Sequence, residues 1–297
     1  MKKKKMKILV ICVLIAVLAF AYVVQADSTW TTLDYPGADR TYIKGIGGGN
    51  MVGSYNDVSG RHIFQYDGTD WTTLNYYPGA ITTGVAGVDG DNIVGHYHDA
   101  SGNRHSFLYD GTDWTTLNYP GDNHTYVNGI DGDNVVGFYS GAYNKGHSIL
   151  YDGTEWTILD DYPGADHTYV NDIDGGNMVG NYEDAFGSHG FLYDGTDWTT
   201  LNAPGADRTY VNGIDGDNIV GFYFDAFGDH SFLYDGTEWT TLDYPGAIET
   251  FVMGIDGDNV VGNYYDASGD HGFIYTVPEP ATLLLFGIGG LILRRRK

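Results

Sequence analysis

Short apolar and aromatic runs alternate with glycine- and aspartate-rich segments through the central part of the chain. In one representative stretch, Val, Ile, Tyr, Phe and Thr concentrate at 210–214, 218–224, 230–234 and 239–242. The intervening residues, such as Asp-Gly-Asp at 215–217, suit tight hairpin turns because glycine readily takes the positive φ that such turns need. No segment has the 3.6-residue period of an amphipathic helix. The pattern therefore predicts short antiparallel strands.

Tryptophan marks a repeat in these strands. The six tryptophans are spaced by 41, 43, 42, 42 and 41 residues and are Trp30, Trp71, Trp114, Trp156, Trp198 and Trp239. Each period holds four predicted strands, labelled A to D, with tryptophan opening strand D. Four short antiparallel strands per period of about 42 residues are typical of a β-propeller blade. The predicted fold class is all-β, a six-bladed β-propeller of four-stranded antiparallel blades.

The phase of the repeat predicts how the ring closes. The mature chain opens with a D strand at Trp30, and the last repeat, 250–275, has only strands A, B and C. Pairing of the N- and C-terminal strands would complete the sixth blade and remove open sheet edges. The alternative is an open β-solenoid, in which the two ends would lie far apart.

Several short segments recur in the repeats, among them PGA, GDNIVG, YxDAxG and HxFLY. Over about residues 30–276 this set resembles bacterial extracellular HAF repeats. The His-Ala-Phe element of that family reads His-Ser-Phe at 230–232 and His-Gly-Phe at 271–273, with Ser or Gly in place of the middle Ala. The resemblance implies a secreted protein of a kind that often carries a sorting tail. It implies no defined reaction.

The first 26 residues form a predicted secretory signal peptide. A basic segment, 1–7, precedes an apolar segment, 8–24, and small residues suit cleavage after Ala26. These features predict export through the Sec pathway. The single cysteine, Cys12, lies inside this peptide, so the mature chain is predicted to have no disulfide.

The last 21 residues, VPEPATLLLFGIGGLILRRRK, place Pro278, Glu279 and Pro280 before an apolar run and a basic cluster. This order resembles the PEP-CTERM sorting signal of Gram-negative exopolysaccharide-producing bacteria. The resemblance implies exosortase, a membrane-embedded cysteine protease-transpeptidase, as a partner. The apolar run, 281–293, would reach only ~20 Å as a helix against a ~30 Å hydrocarbon core. A transient inner-membrane anchor is expected, and a permanent C-terminal anchor is the alternative.

These features divide the chain into a signal peptide (1–26), a propeller (27–276) and a sorting and transmembrane tail (277–297), with helices expected at both ends. The propeller carries 38 Asp and Glu residues against six Lys and Arg residues. Such a charge repels nucleic acid, which is excluded as a partner, and favours solubility. We expect a monomer that is membrane-anchored before tail processing and lies at the cell surface or outside the cell afterwards.

A histidine opens strand C in every predicted blade: His62, His105, His147, His189, His230 and His271. Repetition around a ring favours an architectural role, in which each ring bonds a carbonyl or carboxylate of the neighbouring turn. Because no Ser or Cys nucleophile follows the pattern, no catalytic residue is predicted. A separate pair on strand B of the second blade, His96 and His98, offers too few ligands for a zinc site.

Aspartates crowd the predicted A–B turns, which should lie near the channel on one face of the ring. Calcium prefers six to eight oxygen ligands of this type, although Asp, Gly and Asn also make good turns without a metal. The candidate calcium ligands are Asp89, Asp91, Asp131, Asp133, Asp215, Asp217, Asp256 and Asp258, with Asp174 at an equivalent position. The first blade has three glycines here, at 47–49, so any ring of carboxylates is incomplete. No other cofactor is predicted.

On the opposite face, the D–A loops carry tyrosines and a position that is cationic in four blades. The candidate glycan-binding residues are Arg40, His124, His167, Arg208, Tyr119 and Tyr162. Tyrosine rings stack on sugars, and polar or charged groups orient them. The alternative is that each cation pairs with a neighbouring aspartate.

The sequence therefore predicts a secreted, exosortase-sorted surface or matrix protein, a non-enzymatic scaffold that contacts exopolysaccharide. A propeller-type glycoside hydrolase or lyase is the alternative, and it would need two inward carboxylates in unlike environments. Strand A instead offers Asn128, Asn171 and Asn212 at one position, which counts against an enzyme. A structural protein without a small ligand is the third hypothesis.

Overall fold

The computed structural model describes residues 29–121, 124–140 and 146–277. Within these residues the chain forms twenty-four β-strands in six antiparallel sheets of four. The sheets are the blades of a six-bladed β-propeller, so the predicted fold class is confirmed. The predicted signal peptide, the Pro278-Glu279-Pro280 motif and the C-terminal helix lie outside the described residues.

The chain builds the first three blades in sequence after strand β1 (Thr29–Thr32). Blade 1 contains β2 (Arg40–Gly47), β3 (Asn50–Asp57), β4 (Gly60–Tyr66) and β5 (Trp71–Leu74). Blade 2 contains β6 (Thr82–Asp89), β7 (Asn92–His98), β8 (Arg104–Tyr109) and β9 (Trp114–Thr116). Blade 3 contains β10 (Thr125–Asp131), β11 (Asn134–Ser140), β12 (Gly146–Tyr151) and β13 (Trp156–Ile158).

The remaining strands complete the ring. Blade 4 contains β14 (His167–Asp174), β15 (Asn177–Asp184), β16 (Gly187–Tyr193) and β17 (Trp198–Leu201). Blade 5 contains β18 (Arg208–Asp215), β19 (Asn218–Asp225), β20 (Gly228–Tyr234) and β21 (Trp239–Thr241). Blade 6 contains β22 (Glu249–Asp256), β23 (Asn259–Asp266), β24 (Gly269–Thr276) and, as its fourth strand, β1.

The two ends of the propeller meet in blade 6. Strand β1 pairs with β24, and the N–H of Leu33 donates to the carbonyl of Gly272 over 2.8 Å. Trp30 packs its ring 4.6 Å from that of Tyr275 and 5.1 Å from that of Phe273. The predicted closure by N- and C-terminal strands is therefore confirmed, and the open-solenoid alternative is wrong.

The blades pack face to face on apolar residues of strands A, B and C. One cluster joins Val52 and Ile63 of blade 1 to Val85 and Phe107 of blade 2. Strand C supplies a fully buried residue to every blade: Phe64, Phe107, Ile149, Phe191, Phe232 and Phe273. Because each blade covers its neighbour, the apolar core runs around the ring rather than filling its centre.

Glycine residues allow the innermost strands of neighbouring blades to approach each other closely. A Cβ on Gly45 would lie 2.9 Å from the carbonyl oxygen of Ala86, and one on Gly87 would lie 2.6 Å from that of Asn128. Such distances exclude a side chain unless the backbone moves. A β-bulge next to these glycines re-aims strand A, for example between Ile43 and Gly45. Blade 4 has Asp172 at this position.

Residues Trp30–Tyr275 form one compact unit. Among the residues that the structure describes, no helix is long and apolar enough to cross a membrane.

Candidate binding sites on the two faces and in the channel

The ring has two faces with different chemistry. We call the face with the A–B and C–D turns, such as 90–91 and 67–70, the turn face. We call the face with the D–A loops and B–C turns, such as 34–39 and 58–59, the loop face. The candidate calcium ligands lie on the turn face, and the candidate glycan-binding residues lie on the loop face.

On the turn face, an aspartate at the end of strand A bonds to the neighbouring blade. Asp89 Oδ2 accepts the N–H of Gly132 over 2.8 Å, and Asp174 Oδ2 accepts that of Gly216 over 2.8 Å. The equivalent bonds are Asp131 to Gly175, Asp215 to Gly257 and Asp256 to Gly49. Where blade 1 has Gly47 instead, its carbonyl accepts the N–H of Gly90. The carboxylates thus tie successive A–B turns together.

The second aspartate of each turn takes a different direction. Asp91 lies against the C–D turn of its own blade, where a Cβ on Gly111 would be 3.4 Å from the Asp91 Cβ. Asp133 lies in the same way against Gly153. The structure therefore separates the aspartates that the sequence places together. Within residues 29–121, 124–140 and 146–277, no group of three or more His, Cys, Asp or Glu side chains is arranged to hold a metal ion.

The channel narrows to a cavity of about 110 Å³ near the turn face, lined by strand A of all six blades. Asp172 reaches into it, and its Oδ2 accepts the N–H of Ile214 over 3.0 Å. Burial raises the pKa of Asp172 to about 7, and the neighbouring carboxylates of Asp174 and Asp131 act in the same direction. Burial also raises the pKa of Asp215. An additional negative charge is therefore unfavourable in this part of the channel.

Asparagines on strand A connect neighbouring blades along the channel. The Asn128 side chain donates to the carbonyl of Val170, Asn171 to that of Val211, and Asn212 to that of Val252, over 2.7–3.0 Å. At the junction of blades 6 and 1, Asn263 of strand B instead bonds both the N–H and the carbonyl of Ile43. The neutral strand-A side chains noted in the sequence are thus structural links between blades.

On the loop face, aromatic rings form a three-layer stack in five blades. In blade 1, Tyr35 stacks on Tyr55 at 3.7 Å and Tyr55 on His62 at 4.9 Å. The equivalent stacks are Tyr77–Tyr97–His105, Tyr119–Tyr139–His147, Tyr162–Tyr182–His189 and Tyr244–Tyr264–His271. Tyr119 and Tyr162, two candidate glycan-binding residues, each stack one face on a tyrosine of their own blade. In blade 5 the loop residue is Ala203, so the loop supplies no ring, and Tyr223 lies 5.3 Å from His230 at a tilt of 34°.

The strand-C histidines bond the aspartate of the adjacent B–C turn. His62 Nε2 lies 3.1 Å from Asp57 Oδ1, and His105 Nε2 lies 3.1 Å from Asp99 Oδ2. The equivalent pairs are His189–Asp184, His230–Asp225 and His271–Asp266, at 3.3–3.7 Å. His147 is 3.9 Å from Asp161 of the next loop. His230 and His271 lie closer to a D–A loop aspartate, with Nδ1 2.8 Å from Asp243 Oδ2 and from Asp34 Oδ2 respectively. The predicted role, in which the ring bonds the carboxylate of the adjacent turn, is therefore met by hydrogen bonds in blades 1 and 2.

The four candidate cations of the loop face lie in four different blades. Arg40 is half exposed and lies 3.5 Å from Asp270, the arrangement that the alternative explanation expects. His124 and Arg208 are exposed. His167 lies nearly parallel to Tyr169, and its Nδ1 is buried without a hydrogen-bond partner. The structure does not gather these residues into one pocket.

A pocket that the sequence did not reveal lies where blades 6 and 1 meet; we call it the junction pocket. Its volume is about 450 Å³, and its lining is Tyr42, Lys44, Glu249, Phe251, Met253, Asn263, Tyr264, Tyr265 and Asp270. The Tyr42 hydroxyl donates to Asp270 Oδ2 over 2.8 Å. A departure visible in the sequence is Glu249, which opens strand A where four other blades have Arg or His.

His96 and His98 of blade 2 are not positioned to bind one metal ion together. The rings of His96 and His98 are 6.2 Å apart and perpendicular, and His98 Nδ1 lies 3.0 Å from the Thr82 hydroxyl. His96 instead packs on Gly84, where a Cβ would lie 2.8 Å from the imidazole.

Residues 276–297 match the PEP-CTERM protein-sorting motif. This match confirms the resemblance of the tail and suggests an exported protein that exosortase processes and that the tail anchors in the membrane before processing. A search of curated protein sequences finds no match to the chain.

Solved propellers resemble the chain at low identity. The β-propeller domain of the Trilobed protease from Pyrococcus furiosus has a TM-score of 0.51 and 10% identity, with 80% of this chain and 94% of that chain covered. A mutant of AofleA from Arthrobotrys oligospora has a TM-score of 0.52 and 14% identity, with 85% and 88% covered. Acylaminoacyl peptidase from Pyrococcus horikoshii has a TM-score of 0.51 and 10% identity, with 86% and 55% covered. Likeness at this level supports the fold alone.

Proposed function

We propose that this protein is a secreted surface or matrix protein, exported through the Sec pathway and processed by exosortase, whose propeller is a non-enzymatic scaffold for extracellular polysaccharide. The observation that carries the proposal is the junction pocket on the loop face. Its volume of about 450 Å³ falls in the range of small-ligand sites. The resemblance of the repeats to HAF repeats and the match of the tail to the sorting motif are consistent with such a location.

The lining of the junction pocket suits a saccharide. Tyr42, Phe251 and Tyr265 offer aromatic surface, on which the C–H faces of a sugar ring can pack. Asn263, Glu249 and Asp270 offer amide and carboxylate groups that can bond hydroxyls. The tyrosine hydroxyl of Tyr42 already fixes Asp270, so part of the polar lining is held in place before a ligand arrives.

The distribution of acidic groups supports a binding role rather than hydrolysis. A glycosidase needs a carboxylic acid of raised pKa beside an ionised carboxylate. Asp172, whose pKa burial raises to about 7, lies in the channel cavity near the turn face and bonds Ile214. It is not part of the junction pocket. The repeated His–Asp pairs likewise lie at the B–C turns of five blades and not in the lining of the junction pocket.

A glycoside hydrolase remains the second candidate because Glu249 and Asp270 line the same pocket. Two carboxylates in one cleft are the minimum that such an enzyme needs. Release of reducing sugar from a polymer that binds, abolished in Glu249→Gln and Asp270→Asn, would favour this candidate over the scaffold.

The test is a glycan array followed by calorimetry on residues 27–276, which include the whole compact unit, with the producer's own polysaccharide as one ligand. We expect saturable binding without product, and roughly a three- to tenfold loss of affinity in Tyr265→Ala from lost ring contact. Phe227→Ala is the matched control, because Phe227 is an exposed aromatic of blade 5. Equal affinity of both variants, or no glycan binding at all, would contradict the proposal.

Repeating the titration with calcium and with EDTA tests the candidate calcium ligands. Five of them, counting Asp174, already accept backbone N–H groups, and we propose that they act as links between blades. A change of affinity or of the unfolding temperature with calcium would assign them a metal instead.

A further inference from the structure

The junction pocket carries its charged groups in layers along its depth. Its wall includes strand A of blades 6 and 1, in which side chains at every second position point to the same side. Strand β22 contributes Glu249, Phe251 and Met253, in this order from the loop face inwards. Strand β2 contributes Tyr42 and Lys44 at the repeat positions of Phe251 and Met253. Glu249 therefore lies at the rim of the pocket, and Lys44 belongs to its floor.

The floor of the pocket continues into the channel. Lys44 and Met253 line both the junction pocket and the channel cavity near the turn face. Because a strand rises about 3.3 Å per residue, Glu249 and Met253 are separated by about 13 Å along β22. The lysine and the glutamate therefore act on different parts of a bound ligand.

The rim of the pocket has one carboxylate without a cationic partner. An Arg40 Nη lies 3.5 Å from Asp270 Oδ2, and the Tyr42 hydroxyl donates to the same oxygen over 2.8 Å. The charges of Arg40 and Asp270 therefore balance each other. Glu249 is exposed, and within the part of the chain that the structure describes its carboxylate forms no ion pair. One negative charge is left at the rim.

Aromatic rings lie beside this carboxylate. Tyr265 is directly opposite Glu249 in the register of β22 and β23, and both side chains line the pocket. Side chains opposite each other on one face of a sheet have Cβ atoms about 5 Å apart. Phe251 follows Glu249 on the same face of β22. The face of an aromatic ring attracts a cation, so a carboxylate between two rings suits an ammonium group better than a neutral hydroxyl.

Two departures from the repeat create this arrangement. In blade 5 strand B has Phe222, whose ring lies 5.5 Å from that of Phe251 in the next blade. Blade 6 has Asn263 at the equivalent position, and its side chain bonds the backbone of the neighbouring strand A. The smaller side chain leaves room for the pocket. The second departure is Glu249, which replaces the Arg or His of four other blades.

We propose that the junction pocket binds the protonated amino group of an amino sugar, with Glu249 as its carboxylate partner and the rings of Tyr265 and Phe251 beside it. The inference rests on the proposed function for the saccharide and names the class of sugar unit that the pocket selects. Asp270, which Tyr42 holds in place, accepts hydroxyls of the same unit.

The charge of the whole propeller favours the same ligand. With 38 acidic residues against six cations, its field attracts a cationic polymer and repels an anionic one at long range. Amino groups in an otherwise neutral polysaccharide supply such cations. A uronic acid polymer would approach against this field and would meet the Glu249 carboxylate at the rim.

The experiment titrates the purified full-length protein with the β-1,4-linked tetrasaccharides of glucosamine, N-acetylglucosamine and glucose at pH 6 and low ionic strength. We expect the glucosamine tetrasaccharide to bind about fivefold more tightly than the other two, as a partly exposed ion pair allows. Added salt should reduce this preference. Glu249→Gln should abolish it and leave the affinity for the glucose tetrasaccharide unchanged. The control is Glu183→Gln, which removes the same charge from an exposed position of blade 4 and should keep the preference.

Three outcomes would overturn the inference. The glucosamine tetrasaccharide could bind no more tightly than the glucose tetrasaccharide, or Glu249→Gln could keep the preference. Glu183→Gln could also lose it to the same extent, which would assign the preference to the overall charge. Binding of the producer's polysaccharide without preference for the amino sugar would leave the proposed function standing and refute this inference. A preference that depends on Glu249, without binding of that polysaccharide, would leave the inference standing and refute the proposed function for that polymer.

Discussion

At the scale of single residues, Asp172 combines a structural departure with an unusual ionisation. Other blades have glycine at this point of strand A, and the next strand lies so close that a Cβ on Gly213 would be 3.0 Å from Gly254 Cα. Asp172 places a carboxyl group there, bonded to Ile214 and close to other carboxylates. Its proton therefore becomes part of the stability of the ring.

Asp172→Asn should change the pH dependence of unfolding. Asp172 holds its proton to about pH 7 in the folded state, whereas an unfolded aspartate releases it near pH 4. The folded state thus binds more protons in between, and the free energy of unfolding falls as pH rises from about 4 to 7. The variant should lack this fall, which is of order 4 kcal/mol. Above pH 7 its free energy of unfolding should be higher than that of the wild type.

Chemical denaturation between pH 5.5 and 8.5 measures the upper part of this fall, about 2 kcal/mol between pH 5.5 and 7. More acidic buffers are unsuitable because a second effect begins there. Hydrogen bonds from Ser59 and His62 lower the pKa of Asp57 to about 2, and the stabilisation that such a carboxylate gives the folded state is lost as pH falls through the acidic range. Ser101→Ala, on an exposed B–C turn, is the control. Parallel pH profiles for wild type and Asp172→Asn would contradict the prediction.

Ala203→Tyr should complete the missing aromatic stack of blade 5. The Ala203 N–H bonds the Thr209 hydroxyl as the Tyr162 N–H bonds that of Thr168, so the loop backbone already has the required form. The new ring should stack on Tyr223 and raise the free energy of unfolding by about 1 kcal/mol. Denaturation midpoints check this, with Ala203→Leu separating ring stacking from added apolar area. An unchanged or lower midpoint would show that the slot does not accept a ring.

At the scale of strands, the blades are joined by bonds that each strand A makes to the next. Side-chain amides link one side of the channel, and aspartates link the A–B turns on the turn face. Because the sequence repeats, equivalent bonds form at successive junctions between blades. The ring is thus held by polar links as well as by the apolar surfaces between blades.

Asn212→Ala should loosen the contact between blades 5 and 6. The substitution removes the N–H donor to the Val252 carbonyl and should cost about 1–2 kcal/mol of unfolding free energy. Asn75→Ala, at an exposed position, serves as the control and should stay near wild type. Hydrogen exchange of strand β22 would locate the effect, and uniform exchange across all blades would contradict it.

At the scale of the whole molecule, the ring depends on β1, the strand that the N-terminal end contributes to blade 6. Trp30→Ala should release β1, since Trp30 holds it against Phe273 and Tyr275, and should cost about 3 kcal/mol. Trp114→Ala removes the matching contact to Phe107 in blade 2, whose strands are continuous in the chain. Faster amide exchange in β24 is expected for Trp30→Ala alone. Equal protection of β24 in both variants would refute this role.

Much of this architecture was predictable, because its signals are local and repeated. Tryptophan spacing predicted six blades, and the unpaired strand at Trp30 predicted the closure. The junction pocket was not predictable in this way, since Tyr42 and Asp270 meet from opposite ends of the chain. The partner of Asp89 could not be read from its turn either, because Gly132 belongs to another blade. Contacts within a blade follow from the repeat, whereas contacts between blades depend on packing.

The closure of blade 6 also determines how the ring bears mechanical load. Strand β24 has β23 on one side and β1 on the other, and it is the last strand before the sorting tail. A pull on the chain after Thr276 acts along β24, so the hydrogen bonds on both of its edges are loaded together in shear. A pull that separates the two chain ends would instead peel β1 from β24 one bond at a time. A propeller held by its C-terminal end alone therefore meets drag from flowing water in its stronger direction.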